Sequence, residues 1–237
     1  MNGRRRPNCR PWPYTPAVDD LRDGGRLIVG FDLDMTLIDS RVSIGAALRA
    51  LADETGQPID VARIVATLGP PIDVALSPWF EGPALARACD RFRALHAPLL
   101  HLTTALPGAG AAVDAIHDRG GQVIVVTSKN ERHARISMQA VGITPDAVVG
   151  GHWGPAKGKA LREQGAQAYV GDHVADVAAA RAAGVLSVSV ASGSCSPDDL
   201  RAAGTDVVLP DLLAFPRWLD SECKKDRKKR LQERTLL

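Results

Sequence analysis

Short apolar runs alternate with longer stretches of helical periodicity along most of this chain. Six runs rich in Val, Ile and Leu predict buried strands at 27–32, 122–127, 147–149, 168–171, 186–190 and 206–209. Helices are predicted between them at 107–121, 131–143, 157–165 and 174–184, each closing on glycine, which suits a helix end. Strands alternating with helices of this length predict βαβ units, and therefore an α/β fold whose parallel sheet carries helices on both faces.

One segment interrupts the alternation between the first and second strands. Residues 42–103 contain no convincing strand and predict helices at 42–56, 58–69 and 82–100, with prolines between them. An inserted helical block of this size predicts a cap domain that acts as a lid over the carboxyl edge of the sheet.

The predicted organisation is a core of residues 25–41 and 104–219, a helical cap of 42–103, and two tails. Residues 1–24 are rich in Arg and Pro and have no periodicity, which predicts a disordered tail. Residues 220–237 form a basic tail that could contact nucleic acid or anionic lipid. Interspersed acidic residues and the lack of stacking aromatics favour a solvated end instead.

Composition and charge narrow the class of protein. With 45% apolar residues the 237-residue chain can bury a core, and a net charge of +2 argues against a nucleic-acid partner. The four cysteines are far apart and predict free thiols in a reducing compartment; they are Cys9, Cys89, Cys195 and Cys223. No apolar run has the length of a membrane span, and no signal peptide is evident. We therefore expect a cytoplasmic protein, monomeric or homodimeric, without a membrane or nucleic-acid partner.

Polar residues gather where the predicted strands end. They are Asp32, Asp34 and Thr36 after the first strand, Thr127 and Ser128 after the second, Lys157 at a helix start, and Asp172 and Asp176 after the fourth strand. Ligands bind beyond the carboxyl ends of parallel strands, so we expect these side chains to converge on one edge.

Clustered carboxylates repel one another unless a hard cation lies among them, and Mg²⁺ favours such oxygen ligands. An ionised aspartate can attack phosphorus once a metal screens the phosphoryl charge. A lysine and a threonine hydroxyl would offset the charge that develops on the phosphoryl oxygens. The residues therefore predict a site shared by Mg²⁺ and a phosphate group.

The order and spacing of these motifs resemble the haloacid dehalogenase superfamily. DxDxT at 32–36, the strand-terminal Thr-Ser at 127–128, Lys157 at a helix start and GDHVAD at 171–176 follow the order of its four motifs. The resemblance covers roughly residues 27–219. It implies a Rossmann-like core and Mg²⁺-dependent phosphoryl transfer through an aspartyl-phosphate. The helical insertion is similar to the cap of phosphoglycolate phosphatase-like and β-phosphoglucomutase-like members.

The resemblance also implies roles for the acidic residues. Asp32 would be the nucleophile and Asp34 the general acid and base. Asp32, the backbone carbonyl of Asp34 and Asp172 would bind Mg²⁺. Asp176 would support the metal shell or the phosphate lysine, and Thr36 would support the same site.

The phosphoryl group would be bound by Thr127, Ser128 and Lys157. Lys159 competes with Lys157 for this role, but the AKGKAL stretch resembles relatives in which the first lysine binds phosphate. Met35 occupies a position where many relatives have glycine, which alters the turn but removes no chemical group.

Several neighbouring residues have two interpretations each. Lys129 and Asn130 could contact substrate, but a solvated face is the expected location. His173 is expected at a helix start, whereas His152 and Trp153 could line the entrance or pack under the cap. The LGPPID stretch at 68–73 is either a substrate-contacting loop or a proline-stiffened turn.

The function predicted from the sequence is a Mg²⁺-dependent phosphatase acting on a small phosphorylated metabolite, such as phosphoglycolate or a sugar phosphate. A mutase of the same family is an alternative, because the same residues can transfer phosphoryl to a sugar hydroxyl. A regulatory or partner-binding relative is a third possibility. A silent relative should have lost one of the four motif residues Asp32, Asp34, Lys157 and Asp172, and none is missing.

Overall fold

The computed structural model describes residues 26–224, and its centre is a six-stranded parallel sheet. The strands are β1 (Ile28–Phe31), β2 (Ile38–Asp39), β3 (Thr104–Ala105), β4 (Gln122–Val126), β5 (Ala147–Val149), β6 (Ala168–Gly171), β7 (Leu186–Val190) and β8 (Val207–Leu209). The sheet order is β5-β4-β1-β6-β7-β8, with β1 paired in parallel to both β4 and β6. All six predicted strands are confirmed within two residues at each end.

Between β2 and β3 the chain forms four helices. They are α1 (Arg41–Thr55), α2 (Val61–Ala66), α3 (Ile72–Leu76) and α4 (Gly82–His96), followed by a 3₁₀ turn over Ala97–Leu102. Their apolar faces form a separate cluster around Leu48, Leu51, Leu76 and Phe92. A separate apolar cluster supports the interpretation of this segment as a cap. Helix α3 was not predicted from the sequence, because the prolines at 70–71 that precede it are typical of a turn.

The remaining helices cover both faces of the sheet, as predicted. They are α5 (Ala109–His117), α6 (Glu131–Ala140), α7 (Lys157–Glu163), α8 (Val174–Ala183), α9 (Pro197–Ala202) and a last helix at 215–224 (α10), with 3₁₀ turns at Gly154–Ala156 and Leu212–Ala214. Side chains alternate across β4, so Val123 and Val125 pack towards α5 and α6, whereas Ile124 and Val126 pack towards α7 and α8.

Two differences from the sequence prediction lie in this part of the chain. Helix α9 was not predicted. Helix α10 runs through residue 224, past residue 219 where the core domain was expected to end. It continues because Leu219 and Cys223 both pack on the apolar core. Residues 220–224 of the predicted tail at 220–237 are therefore helical, whereas the predicted tail at 1–24 and residues 225–237 lie outside the described residues. No helix within residues 26–224 has the length and apolar character needed to cross a bilayer.

A two-stranded antiparallel ribbon joins the core to the cap helices. Ile38 pairs with Ala105 and Asp39 with Thr104, so both connections between the two parts run side by side. The sequence did not predict these strands, since two residues are too few to show a period. The ribbon is the place where the chain passes from the sheet to the cap helices and back.

Met35 ties the first motif to the cap. Its φ is +64°, a backbone conformation that favours glycine. Its side chain is buried in the apolar cluster of the cap helices. Burial of the thioether side chain offsets the cost of the left-handed backbone, which is about 1–2 kcal/mol.

Candidate active site

The turn after β1 places the first carboxylates at the edge of the sheet. The N–H of Asp32 continues the ladder by donating to Val170 O at 2.8 Å. The carbonyl of Leu33 then accepts from the N–H groups of Thr36 and Leu37, at 3.2 and 2.9 Å, which closes a tight turn. The Asp32 side chain is consequently held almost buried at the carboxyl end of the central strand.

Lys157 lies under this edge and is fully buried. Its ammonium has three acceptors, Asp32 Oδ1 at 2.9 Å, Asp176 Oδ1 at 2.7 Å and Tyr169 Oη at 2.9 Å. Burial alone would lower the pKa of Lys157, but Asp176 and Asp32 outweigh it and raise the pKa, so the group is a permanent cation. Lys159 is 76% exposed and pairs with Glu163 on its own helix, away from Asp32. The structure therefore brings Lys157, and not Lys159, to the carboxylates.

Asp172 follows β6 and has one satisfied and one unsatisfied oxygen. Thr36 Oγ1 donates to Asp172 Oδ1 at 2.7 Å. Asp172 Oδ2 is buried and has no hydrogen-bond partner among the described residues. Gly193 lies directly beside it, because a Cβ at that position would be 1.8 Å from Asp172 Oδ2. An orphaned buried carboxylate oxygen is a feature that a metal ion would satisfy.

Asp176 has both of its oxygens engaged. Oδ1 accepts from Lys157, and Oδ2 accepts from the N–H of His173 at 3.1 Å. His173 in turn caps α8, since its Nδ1 accepts from the N–H of Ala175 at 3.0 Å. The expected location of His173 at a helix start is confirmed. Asp176 is placed to orient Lys157 from the side opposite Asp32.

The carboxylates of Asp32, Asp172 and Asp176 form a group whose ligand oxygens all lie within 4.8 Å of one another. Burial, partly offset by Lys157 and reinforced by Asp176, raises the pKa of Asp32 to about 7. Burial together with Asp176 and Asp32 raises the pKa of Asp172 well above its usual value. These shifts express the cost of burying carboxylates and, after that, of placing them beside one another, and a bound cation would oppose both.

Formal charges at the site favour a divalent cation. Four carboxylates contribute −4, and the ammonium groups of Lys157 and Lys129 contribute +2, which leaves −2. An ion such as Mg²⁺ cancels that charge and prefers one or two carboxylates plus water, which matches Asp32 and the orphaned oxygen of Asp172. The residues present therefore fit the ion that the family resemblance implies.

Asp34 points away from this group. Its Oδ1 accepts from Lys129 Nζ at 2.7 Å and from Ser40 Oγ at 2.5 Å. Burial would raise the pKa of Asp34, but Lys129 and then Ser40 outweigh it and hold the pKa below its usual value. The expectation that Lys129 lies on a solvated face is wrong, because its side chain is only 6% exposed and ion-paired to Asp34. Asn130, by contrast, is the exposed cap of α6.

Thr127 and Ser128 follow β4, the strand next to β1. Thr127 is buried, and its N–H donates to Val149 O at 3.0 Å. Ser128 Oγ donates to Gly69 O of the cap at 3.1 Å. Ser128, which the sequence assigned to phosphate, thus also contacts the segment between α2 and α3.

The same cap segment covers the site. A Cβ at Gly69, whose φ is +143°, would lie 3.2 Å from both Trp153 and His173. The Trp153 and His173 rings are 5.2 Å apart, and Lys157 Nζ is 5.8 Å from the Trp153 ring. Of the two interpretations for Trp153, packing under the cap is the one the structure supports. The LGPPID stretch contacts the core rather than forming only a turn.

Sequence reasoning did not identify Tyr169 and Gly193, which bond or abut the motif residues. For Lys129 it gave substrate contact as an alternative but expected a solvated face. A tyrosine inside the apolar AYVG strand was the one available signal, because a buried phenol needs a hydrogen-bond partner.

The fold and the site together define an α/β protein with a helical cap and an acid-rich centre at the carboxyl edge of its parallel sheet. Residues 29–190 match the family model described as haloacid dehalogenase-like hydrolase. The chain belongs to the haloacid dehalogenase-like hydrolase family.

Curated relatives agree with this assignment. A phosphoglycolate phosphatase of Cereibacter sphaeroides is 34% identical in an alignment of 178 positions, and the match covers 66% of this chain and 81% of the relative. A phosphoglycolate phosphatase of Rhodospirillum rubrum is 33% identical in an alignment of 215 positions, and the match covers 80% of this chain and 89% of the relative. The chain is accordingly an enzyme of the phosphatase type within the family.

Solved structures share the fold. A haloacid dehalogenase-like hydrolase of Streptococcus pneumoniae superposes with a TM-score of 0.71 at 20% identity, covering 81% of this chain and 97% of that one. A hydrolase of Pseudomonas syringae superposes with a TM-score of 0.69 at 24% identity, covering 81% and 97%.

Proposed function

We propose that this protein is a Mg²⁺-dependent phosphatase that hydrolyses a small phosphomonoester through a phosphoaspartate on Asp32. The observation that carries the proposal is the buried group of Asp32, Lys157, Asp176 and Asp172, with one orphaned oxygen on Asp172. A structural ion-pair network would leave no such oxygen, because its unpaired burial costs free energy.

The reaction has two halves. In the first, Asp34 enters the reaction protonated, although the charge of Lys129 favours its ionised form in the free site. Asp32 attacks phosphorus, the ester P–O bond breaks, and the leaving alkoxide takes the proton from Asp34. In the second, water attacks the phosphoaspartate while Asp34 accepts a proton from it, and cleavage of the P–O bond to Asp32 restores the free carboxylate. When bound, Mg²⁺ would screen the charge on the phosphoryl oxygens; Asp32, Asp172 and the backbone carbonyl of Asp34 would hold it.

The phosphoryl group would be bound by Lys157, Thr127 and Ser128. Lys157 is fixed between two carboxylates, so it is already in position when the negative charge arrives. Donors that are already in position need no reorganisation during the reaction. This preorganisation is the main source of electrostatic stabilisation of a transition state. Thr36 would support Asp172 through its 2.7 Å hydrogen bond.

The substrate class we propose is a small metabolite, phosphoglycolate-like or a sugar phosphate. The phosphoglycolate phosphatases among its relatives support the first, and a cap that touches the core at Gly69 supports a small leaving group. We propose a cytoplasmic location, which the free thiols of Cys89, Cys195 and Cys223 support. A monomer or a homodimer without nucleic-acid or membrane partners stays part of this proposal.

Phosphate release from a panel of small phosphomonoesters, with Mg²⁺ and with EDTA, tests the mechanism. We expect Mg²⁺-dependent release from the wild type and a loss of at least about 10³-fold in Asp32→Asn, which keeps the shape but removes the nucleophile. Lys159→Gln is the matched control and should retain full turnover, because Lys159 is exposed and far from Asp32.

Two outcomes would contradict the proposal. Equal release in the presence of EDTA would remove the metal from the mechanism. Consumption of a sugar phosphate without phosphate release, accompanied by a new sugar phosphate, would identify a mutase.

A further inference from the structure

The loop between β7 and α9 lies at the same edge of the sheet as the four motifs, although none of its residues belongs to a motif. It covers residues 191–196, with the sequence ASGSCS. The N–H of Ala191 donates to Leu209 O of β8 at 3.1 Å, and Ser196 and Asp199 cap the start of α9 reciprocally. Both ends of the loop are therefore held by the core, and its middle residues have defined positions.

Ser192 holds the turn that carries the first motif. Its Oγ donates to Met35 O at 2.6 Å, although the two residues are 157 positions apart in the sequence. The N–H of Met35 donates to Ile38 O at 2.8 Å. That N–H and the carbonyl of Asp34 belong to one planar peptide unit, so a bond to the first fixes the direction of the second. The peptide units on both sides of Met35 are therefore each anchored by one hydrogen bond.

The backbone of Met35 makes this anchor necessary, because it is strained. A φ of +64° costs a residue with a side chain about 1–2 kcal/mol. If its carbonyl had no partner, the turn would tend to relax towards a right-handed conformation and rotate the adjoining peptide unit of Asp34. The hydrogen bond from Ser192 opposes that relaxation.

Gly193 lies against a proposed metal ligand of a different motif. A Cβ at this position would be 1.8 Å from Asp172 Oδ2 and 2.6 Å from Asp172 Cγ, so a side chain there would overlap the carboxylate. From the other side, Thr36 Oγ1 donates to Asp172 Oδ1 at 2.7 Å. The carboxylate is thus confined between Thr36 and the backbone of Gly193. The φ of Gly193 is not in the left-handed region, so space and not backbone conformation requires glycine here.

Two adjacent residues of one loop therefore act on two proposed ligands of the cation. Ser192 acts on the carbonyl of Asp34 through Met35. Gly193 acts on the carboxylate of Asp172. Mg²⁺ tolerates only small departures from octahedral geometry, so its affinity depends on how accurately its ligands are held. Loss of a group that orients a metal ligand typically lowers metal affinity about 10- to 100-fold.

We propose that the loop at 191–196 supports the metal centre, and that Ser192 and Gly193 are positioning residues that set its affinity for Mg²⁺. The inference rests on the proposed phosphatase function and adds to it two residues outside the four motifs. Ser192 is bonded to backbone and Gly193 has no side chain, so neither side chain takes part in the reaction itself.

Thermal unfolding of the full chain at rising Mg²⁺ concentrations tests the inference without substrate. A cation that binds only the folded state raises the midpoint temperature Tm, and the concentration dependence of the rise gives its Kd. We expect Ser192→Ala to raise the Kd for Mg²⁺ by about 10- to 100-fold, and Ser192→Thr, which keeps the hydroxyl, to stay near the wild type. Ser194→Ala is the matched control and should leave the Kd unchanged, because Ser194 is an exposed serine of the same loop.

Gly193→Ala makes the test more severe. The added Cβ would displace the carboxylate of Asp172, so we expect no rise of Tm at Mg²⁺ concentrations that saturate the wild type. Phosphate release gives an independent check on Ser192→Ala. Excess Mg²⁺ should restore its kcat, because the reacting groups are intact.

Failure of the inference and failure of the proposed function give different results. If Ser192→Ala lowers Tm in EDTA but binds Mg²⁺ with the Kd of the wild type, Ser192 has only a structural role and the inference is wrong. Binding of Mg²⁺ to Gly193→Ala with the wild-type Kd would likewise contradict it. If Mg²⁺ does not raise the Tm of the wild type, the site does not bind the cation and the proposed function itself fails.

Discussion

Tyr169 is a single side chain that links three strands beneath the active site. It lies on β6, its ring passes over Gly30 of β1, and its hydroxyl donates to Val126 O of β4 at 2.7 Å. A Cβ on Gly30 would lie 2.9 Å from the Tyr169 ring, so this crossing requires a glycine in the central strand. Burial, with Asp176 and Asp32 nearby, raises the pKa of Tyr169 well above its usual value, so the phenol stays a donor.

The hydroxyl also accepts from Lys157, which makes Tyr169 a positioning residue for that lysine. We expect Tyr169→Phe to lower the free energy of unfolding by about 1–3 kcal/mol, since Val126 O loses its donor in a buried place. We further expect kcat to fall about tenfold with KM nearly unchanged, because Lys157 keeps its charge but loses one of three contacts. Urea unfolding and phosphate release at saturating Mg²⁺ measure the two effects. Unchanged kcat in a destabilised variant would limit Tyr169 to a structural role.

At the scale of elements, the end of α4 and the start of α6 meet through two histidines. His96 stacks on Phe92 at 5.3 Å and meets the His133 ring edge-on at 5.7 Å. Its Nε2 is 3.1 Å from Ser43 Oγ on α1. Burial and the charge of Lys129 outweigh the attraction of Asp34 and lower the pKa of His96 to about 3. The junction between cap and core is therefore built around a neutral imidazole.

The buried imidazole of His96 makes the free energy of unfolding depend on pH. The pKa of His96 is about 3 in the fold and 6.5 without it, so the unfolded state binds the proton more tightly. The contribution of neutral His96 to the free energy of unfolding is fully present above pH 6.5 and is lost as the pH falls towards 3. Between pH 7 and pH 5 the loss amounts to about 2 kcal/mol. Thermal unfolding at both pH values should show a smaller decrease for His96→Gln, which keeps a hydrogen-bonding group near Ser43. An equal decrease in both proteins would contradict the shift.

The whole molecule holds its cap against the core through contacts that surround the active site. Met35 of the first motif is buried among the cap helices, and Ser128 donates to Gly69 O. Gly69 also packs against Trp153 and His173. A phosphomonoester cannot enter between groups in contact, so we predict that the cap opens about the ribbon of β2 and β3 and closes again during turnover.

Gly69→Ala tests this closure. The added Cβ would lie 3.2 Å from Trp153 and His173, so we expect the closed contact to weaken and kcat/KM to fall about tenfold or more. Gly56→Ala is the matched control, because Gly56 also has a positive φ (+65°) but no atom within 4 Å of the new Cβ. It should cost about 1 kcal/mol of stability with normal turnover. If the two variants have the same kcat/KM, the contact of Gly69 with Trp153 and His173 does not contribute to catalysis.

The strands and most helices could be predicted because their signals are local. Each strand of the sheet is an apolar run bounded by polar or glycine residues, and the cap helices α1 and α4 show helical periodicity over 15 residues each. The missed elements are the ones with weak local signals. Strands β2 and β3 have two residues each, and α3 has five residues behind a pair of prolines.

The candidate site was predictable as far as its motif residues, and less so in its partnerships. Asp32, Lys157, Asp172 and Asp176 do come together, which parallel strands ending at one edge require. Lys129 was misplaced because its location depends on Asp34, which is 95 residues away along the chain. The crossing of Tyr169 over Gly30 likewise depends on strand order, which no local pattern contains.

The sequence by itself determined the α/β alternation, the inserted helical segment and the residues that carry the chemistry, since periodicity and motif order are properties of neighbouring residues. Only the tertiary structure decided which charge meets which. It pairs Lys157 with Asp32 and Asp176, and Lys129 with Asp34. Within residues 26–224 it leaves one oxygen of Asp172 without a hydrogen-bond partner. The physical reason is that the cost of burying a charge depends on the groups within a few ångströms of it, and distant parts of the chain bring those groups there.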